Sequence, residues 1–256
     1  MIREKLMMLK KERQAYILHQ VNLHNKVLCV DLCQDVNVSD DTIRRDLQEL
    51  SEEGKVIKVH GGALSNSFHK GNPSSEQVYA YVNKGIIAQK AASLIQEGMF
   101  VSTGGGTTIT ELAKALPQEL TATFISGSIS ALMEYIKHPN IEVISIGDKI
   151  SKNARLAVGP DAIAKIRQIK SDLCFLGINA IDPVFGVSDN DWEVVQIKKA
   201  MIESAKKTVC LTISEKINTL QPIKVCDLEN IDMLITELPA DDPMLRPYVD
   251  AGITVL

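Results

Sequence analysis

Two short stretches of this chain hold residues whose types and spacing could do chemistry. The first, Ser102 to Thr108, reads STGGGTT and stands between an apolar run and an amphipathic one. Consecutive glycines at a strand end let the backbone approach an anion closely, and the free amides that open the next helix donate to it. Gly104, Gly105 and Gly106 suit such a cradle, and the hydroxyls of Thr107 and Thr108 can add two bonds. The same glycines would equally serve a plain turn. A Walker loop would need a lysine after Gly106. A dinucleotide fingerprint would need a third glycine where Ile109 stands and an acidic residue about twenty positions on. Neither pattern is met, so no nucleotide cofactor is expected, and a sugar phosphate is the phosphorylated ligand that remains.

The second stretch, VSDDTIRRDLQEL, runs from Val38 to Leu50. Ser39 is a natural N-cap, and Ile43, Leu47 and Leu50 recur at i, i+4 and i+7. At 100° per residue Leu47 and Leu50 lie within about 40° of Ile43, which puts Asp41, Arg45 and Gln48 opposite and Thr42 and Arg44 on the flanks. Such a face can bond base edges and phosphates: arginine to guanine or a backbone oxygen, glutamine to adenine, aspartate to the cytosine amine. Preceded by a stripe through Leu28 and Leu32 and a turn at Asn37–Ser39, it fits a helix–turn–helix. After Gly54, Lys55, Lys58 and His60 punctuate an apolar segment ending in Gly61 and Gly62, which suits a strand turning into a wing over the phosphate backbone. The bland alternative is a solvated helix face on which Asp46 and Glu49 balance Arg44 and Arg45.

These elements belong to a chain built in two parts. Ser65 to Ser75, SNSFHKGNPSS, lacks periodicity and reads as a linker. It separates a DNA-binding unit over 1–64 from an α/β effector unit over 76–256. In the second unit, helices are expected at 83–98 (closed by Gly98), 107–116, 129–138 and 192–207. Strands are expected at 99–103, 122–126, 141–147, 171–177, 207–213 and 232–236. Strands apolar throughout and separated by helices imply a parallel sheet covered on both faces, with ligands at the carboxyl ends of its strands. With 45% hydrophobic residues but only 4% aromatic, the core must rest on Ile, Leu, Val and Ala.

The net charge of −4 argues at first against nucleic acid. Residues 1–64, however, carry ten basic and ten acidic side chains of the totals of 28 and 32, so the acidity belongs to the back of the chain. No apolar leader and no run of eighteen apolar residues is present, so a soluble cytoplasmic protein with no membrane partner is expected. Five cysteines without a CxxC pair fit a reducing compartment. Cys29 and Cys33 stand one helical turn apart near His24, but no second ligand pair accompanies them and no metal is expected.

The segment VSDDTIRRDLQELSEEGKVIKVHGGAL resembles the winged helix–turn–helix signature of the DeoR-type bacterial transcriptional regulators, in which VSxxTIRRDL leads into a wing ending HGGA. The resemblance continues through KGIIAQKAASLIQEGMFV, GTT, LGINAID, DWEVVQIKKAMIESA and IDMLIT, and so covers nearly the whole chain. It implies a repressor that responds to a sugar phosphate, with an effector domain similar to the ribose-5-phosphate isomerase and glucosamine-6-phosphate deaminase fold. This chain departs from the pattern where Asp-Ser-Gly-Thr-Thr becomes Gly104–Thr108 and Thr-Asn-Ser becomes Ser126, Gly127 and Ser128. Of the late Asp-x-Ser-Lys only Lys216 survives. The phosphate end of the pocket therefore looks kept, and the sugar-gripping end altered. Lys216 and Lys198 are the candidates for neutralising the phosphate, against a reading of both as solvated surface lysines.

Catalysis on a sugar phosphate would need a carboxylate base. Asp182, Asp189, Asp191 and Glu193 are available, with Asp182 and Glu193 foremost as ligand contacts, but no general acid is evident. The leading expectation is therefore a DNA-binding regulator that reads operator half-sites as a homo-oligomer, a dimer or tetramer, because one recognition helix touches only one half-site. The competing expectation is a sugar-phosphate isomerase or deaminase whose front domain serves only assembly.

Overall fold

A computed structural model describes residues 8–66 and 78–256. The chain divides into two compact units, Met1–Tyr79 and Ala80–Leu256. In the first, α1 (Lys10–His24), β1 (Lys26–Leu28), α2 (Cys29–Val36) and α3 (Asp40–Glu52) precede a hairpin of β2 (Val56–Val59) and β3 (Gly62–Ser65). Ile17, Val21, Leu32, Ile43, Leu47 and Leu50 fill its core. The three helices and the hairpin make a winged helix–turn–helix.

Two expectations change here. Leu28 does not begin the stripe of α2, because residues 26–28 pair with β3, Val27 against Ala63, and leave Leu28 exposed; the stripe is Cys29, Leu32 and Val36. The linker cannot start at Ser65, which pairs with Val56 in the hairpin; residues 67–75 of the proposed linker lie outside the described residues. The two glycines of the wing do different work. Gly61 takes the positive φ of the two-residue turn, and Gly62 has no room for a Cβ against the carbonyl of Val27 on β1.

The second unit continues with α4 (Tyr81–Ala92), β4 (Phe100–Thr103), α5 (Thr107–Lys114), β5 (Thr123–Ser126), α6 (Ile129–Tyr135) and β6 (Glu142–Ser145). A hairpin of β7 (Lys149–Ser151) and β8 (Leu156–Val158) leads to α7 (Pro160–Arg167) and β9 (Ser171–Gly177). Then come β10 (Ala180–Asp182), β11 (Gly186–Asp189), α8 (Trp192–Glu203), β12 (Ala205–Leu211), β13 (Ile223–Cys226), β14 (Met233–Ile235), α9 (Arg246–Asp250) and β15 (Thr254–Val255). Seven strands form one sheet in the order β15-β14-β12-β9-β4-β5-β6, and every pairing in it is parallel. From β4 the chain builds outward through β5 and β6, then returns to β4's other side for β9, β12, β14 and β15. The order therefore reverses between β4 and β9, the place where open α/β sheets leave a crevice at their carboxyl edge. Among the described residues no helix is long and apolar enough to cross a membrane.

Element boundaries moved for local reasons. The helix expected to reach Gly98 ends at Ala92, where the Ser93 hydroxyl donates to the carbonyl of Lys90 and tight turns follow through Ile95. The helix expected through Lys207 stops at Glu203, because Ala205 already pairs with Ser171 of β9. Two small antiparallel sheets, β7-β8 and β10-β11-β13, were not expected. Their strands have one to three apolar residues each, too few to show a period.

Candidate functional site: a recognition helix and an anion cradle

Within the first unit the Ser39 hydroxyl caps α3, accepting from the Thr42 amide at 3.4 Å and meeting the Thr42 hydroxyl at 2.9 Å. Ile43, Leu47 and Leu50 are buried, while Asp41, Arg44, Arg45 and Gln48 are exposed and Thr42 is half-buried. Wing and helix share this polar face: Lys58 donates to the Gln48 side-chain oxygen at 2.9 Å and to the Arg44 carbonyl at 3.4 Å. The Gln48 amide nitrogen donates to Glu52 at 2.7 Å. Lys55 pairs with Glu53 at 2.6 Å, and His60 is exposed in the hairpin turn.

Asp46 and Glu49 do not balance the arginines. Asp46, 1% exposed, takes the Arg13 guanidinium at 2.5 Å and 3.2 Å, and Glu49 accepts from Lys10 and Gln14 at 2.7 Å each. Both acids face α1. Arg44 pairs instead with Asp40 at 2.5 Å, one turn back on the exposed side, and no hydrogen bond or ion pair joins Arg45 to another described residue. The sequence carried a signal for this: at −60° from Ile43, Asp46 falls inside the buried sector, and a buried carboxylate requires a cation.

In the second unit the glycine loop sits at the switch point. The Gly104 amide donates to the Phe175 carbonyl of β9 at 2.9 Å, which anchors the loop across the crevice. Gly106 caps α5 with φ +106°, and nothing stands within 4 Å of where its Cβ would be. The amides of Gly105, Gly106, Thr107 and Thr108 find no acceptor among the described residues, as expected of a helix start. Thr108 is buried, and Thr107 half-exposed.

Several of the sequence-derived candidates join this loop. A Cβ on Gly105 would stand 3.8 Å from the Ser128 hydroxyl, and one on Gly177 would stand 2.9 Å from the Gly105 carbonyl. Two residues beyond Gly177, the Asn179 side chain accepts from Lys216 at 3.2 Å and donates to Asp189 at 2.9 Å; Asp189 holds Lys198 at 2.6 Å. Lys198 and Lys216 are both buried, which excludes the solvated-lysine alternative for both.

Other candidates are spent on structure. The Ser126 hydroxyl donates to the Thr103 carbonyl and accepts from the Ser128 amide, and the Ser128 hydroxyl caps α6. Asp182 receives the Val184 and Phe185 amides at 2.8 Å each and so closes the β10–β11 turn. Glu193 is exposed and pairs with Lys149 at 2.8 Å, and Asp191 caps α8. Among the described residues no cluster of His, Cys, Asp or Glu could hold a metal.

The sequence reading missed Lys84. It lies on α4, buried, facing Glu111 of α5 and Glu215. Burial pushes its ammonium down to about 8, against the pull of the two glutamates. Lys216 falls further, to about 7, through burial and through repulsion from Lys84 and Lys198, with Asp189 and Glu215 opposing. A lysine three positions into a helix that otherwise reads as surface and core alternation gave no warning, because the carboxylates around it come from distant segments.

Comparisons with known proteins match both units. The DeoR-like helix-turn-helix domain matches residues 13–68, and the DeoR C terminal sensor domain matches residues 80–238. The chain belongs to the DeoR family. This DeoR-family regulator is 30% identical to the HTH-type transcriptional regulator GolR of Listeria innocua, over 95% of this chain and 97% of that one. It is likewise 30% identical to the HTH-type transcriptional repressor GlcR of Bacillus subtilis, over 90% and 89% of the two chains. Among solved structures it resembles ribose 5-phosphate isomerase A of Methanocaldococcus jannaschii, with 21% identity, 57% of each chain covered and a TM-score of 0.39. That last likeness is too distant to bear on chemistry. The family's DNA-binding and sensor domains thus correspond to the two units, and the protein is a transcriptional regulator.

Proposed function

We propose that this regulator represses a sugar-metabolism operon in the cytoplasm, binding its operator as a homo-oligomer, and that a phosphorylated sugar in the cradle of the second unit controls its hold on DNA. The observation that carries the effector reading is Lys216: a buried amine whose acceptors are the neutral Ile178 carbonyl and Asn179 amide, on the strand ends that flank four unclaimed backbone amides. Such a place is short of one anion. Among the described residues the candidate bases are engaged: Asp182 in a turn, Asp189 with Lys198 and Asn179, Asp191 as a helix cap and Glu193 with Lys149. The enzyme reading is therefore set aside.

Ligand binding is tested by thermal shift with a panel of sugar phosphates beside their parent sugars. A phosphate ester raises the melting temperature, by roughly 2.7 kcal/mol of stabilisation at a hundredfold excess over Kd, and the parent sugar does not. Gly106→Val abolishes that shift. The reason is conformational, since a β-branched residue cannot adopt φ +106° and its side chain would project into the open space the anion needs. A normal response in this variant, or an equal shift by the parent sugar, would place the effector elsewhere.

The DNA side is tested by titrating operator duplex. Affinity falls steeply with salt, as phosphate contacts release counterions. Arg45→Ala costs about 1–3 kcal/mol on the operator and little on random duplex, because a bidentate base contact is lost. Equal losses on both duplexes make Arg45 a backbone contact instead.

A further inference from the structure

Lys216 is a buried amine whose own acceptors carry no charge. Lys216 faces Lys84 from α4, Lys198 from α8, Asp189 from β11 and Glu215 from its own turn. Asp189 is already held by Lys198 at 2.6 Å, and Glu215 is exposed. Lys84 itself faces Glu111 and Glu215. No carboxylate lies within ion-pair distance of the Lys216 amine among the described residues; its acceptors are a carbonyl at 3.3 Å and a side-chain amide at 3.2 Å. An amine can satisfy both of these without a charge, as a neutral NH₂ group.

We propose that filling the cradle with a dianion makes the site take up a proton on Lys216, so that the regulator reads its effector and the pH together. The proposal rests on the effector reading above and adds its regulation. Physically, a dianion at the mouth of the crevice supplies the missing counter-charge, and an opposite charge nearby favours the ammonium form. The burial and the repulsion from Lys84 and Lys198 that hold the empty site's Lys216 near about 7 then no longer dominate.

The sign follows from linkage. Above about pH 7 the empty site binds fewer protons than the filled one, so affinity for a dianion falls as pH rises, by up to about tenfold per unit for one proton. A phosphate monoester loses its own second charge below about pH 6, so its binding peaks between about 6 and 7. Sulfate, which does not titrate there, shows only the fall.

The experiment is calorimetry of the full chain with ribose 5-phosphate and with inorganic sulfate, near pH 8, in two buffers of very different ionisation enthalpy. The proposal expects binding enthalpies that differ between buffers by roughly one proton for either probe. It expects Lys216→Met to remove that difference. Enthalpies that agree in both buffers for the wild-type chain overturn it while leaving the cradle in place. If neither probe binds at any pH, the cradle reading falls with it. The wild-type comparison decides the matter even where the variant binds too weakly to measure.

Discussion

Asp46→Ala is expected to cost the first unit up to about 3–5 kcal/mol, because it leaves the half-buried Arg13 guanidinium without its counter-ion. Against a usual domain stability of about 5–15 kcal/mol, this is enough to unfold a large share of the DNA-binding unit near room temperature. Denaturant titration followed by a probe of helix content measures it. Operator binding is lost with folding, although Asp46 faces away from the exposed surface of α3. The paired replacement Arg13→Met with Asp46→Leu removes both charges and recovers most of the stability. If Asp46→Ala melts with the wild type, or if the paired replacement stays unfolded, the buried pair does not hold α1 against the recognition helix.

Lys216→Met is expected to have the opposite sign. It stabilises the empty protein by about 1–4 kcal/mol, since an uncompensated buried amine gives way to a side chain suited to its surroundings. It also removes the thermal response to phosphorylated sugars. Wild-type stability should climb as pH rises from about 7 towards 10.5, because between those values the unfolded chain holds a proton on Lys216 that the folded chain does not. The variant loses the share due to Lys216 and keeps only that of Lys84, which begins near about 8. A destabilised variant would mean that Lys216 earns its place by structure alone, and a stabilised one that still responds to the phosphate would remove Lys216 from the site.

These two residues mark how differently the two units could be read from sequence. The recognition helix was legible in full because its information is local: a cap at Ser39, an apolar triad at helical spacing, and polar residues on the opposite arc. The same arithmetic contained the inward position of Asp46, but its partner Arg13 is 33 residues away and on another helix, so only packing joined them. The glycine loop was also local, as an apolar strand followed by three glycines and two threonines. The structural partners of Asp182 and Glu193 were not legible, for the converse reason. A carboxylate in a loop has the same letter whether it binds a ligand, closes a hairpin or meets an exposed lysine, and its hydrogen bonds alone separate these uses.

The sequence by itself determined the class of the recognition helix and of most strands and helices of the large sheet, the division into a winged helix–turn–helix and a parallel α/β unit, and the face that α3 presents, since these depend on side-chain periodicity and turn chemistry within about fifteen residues. Only the tertiary structure decided the strand order, and with it the switch point between β4 and β9 that carries the cradle. Only the tertiary structure brought Lys84, Lys198 and Lys216 together from α4, α8 and the turn after β12. Charge and burial act through space, and the separation of these lysines along the chain holds no trace of their distance in the fold.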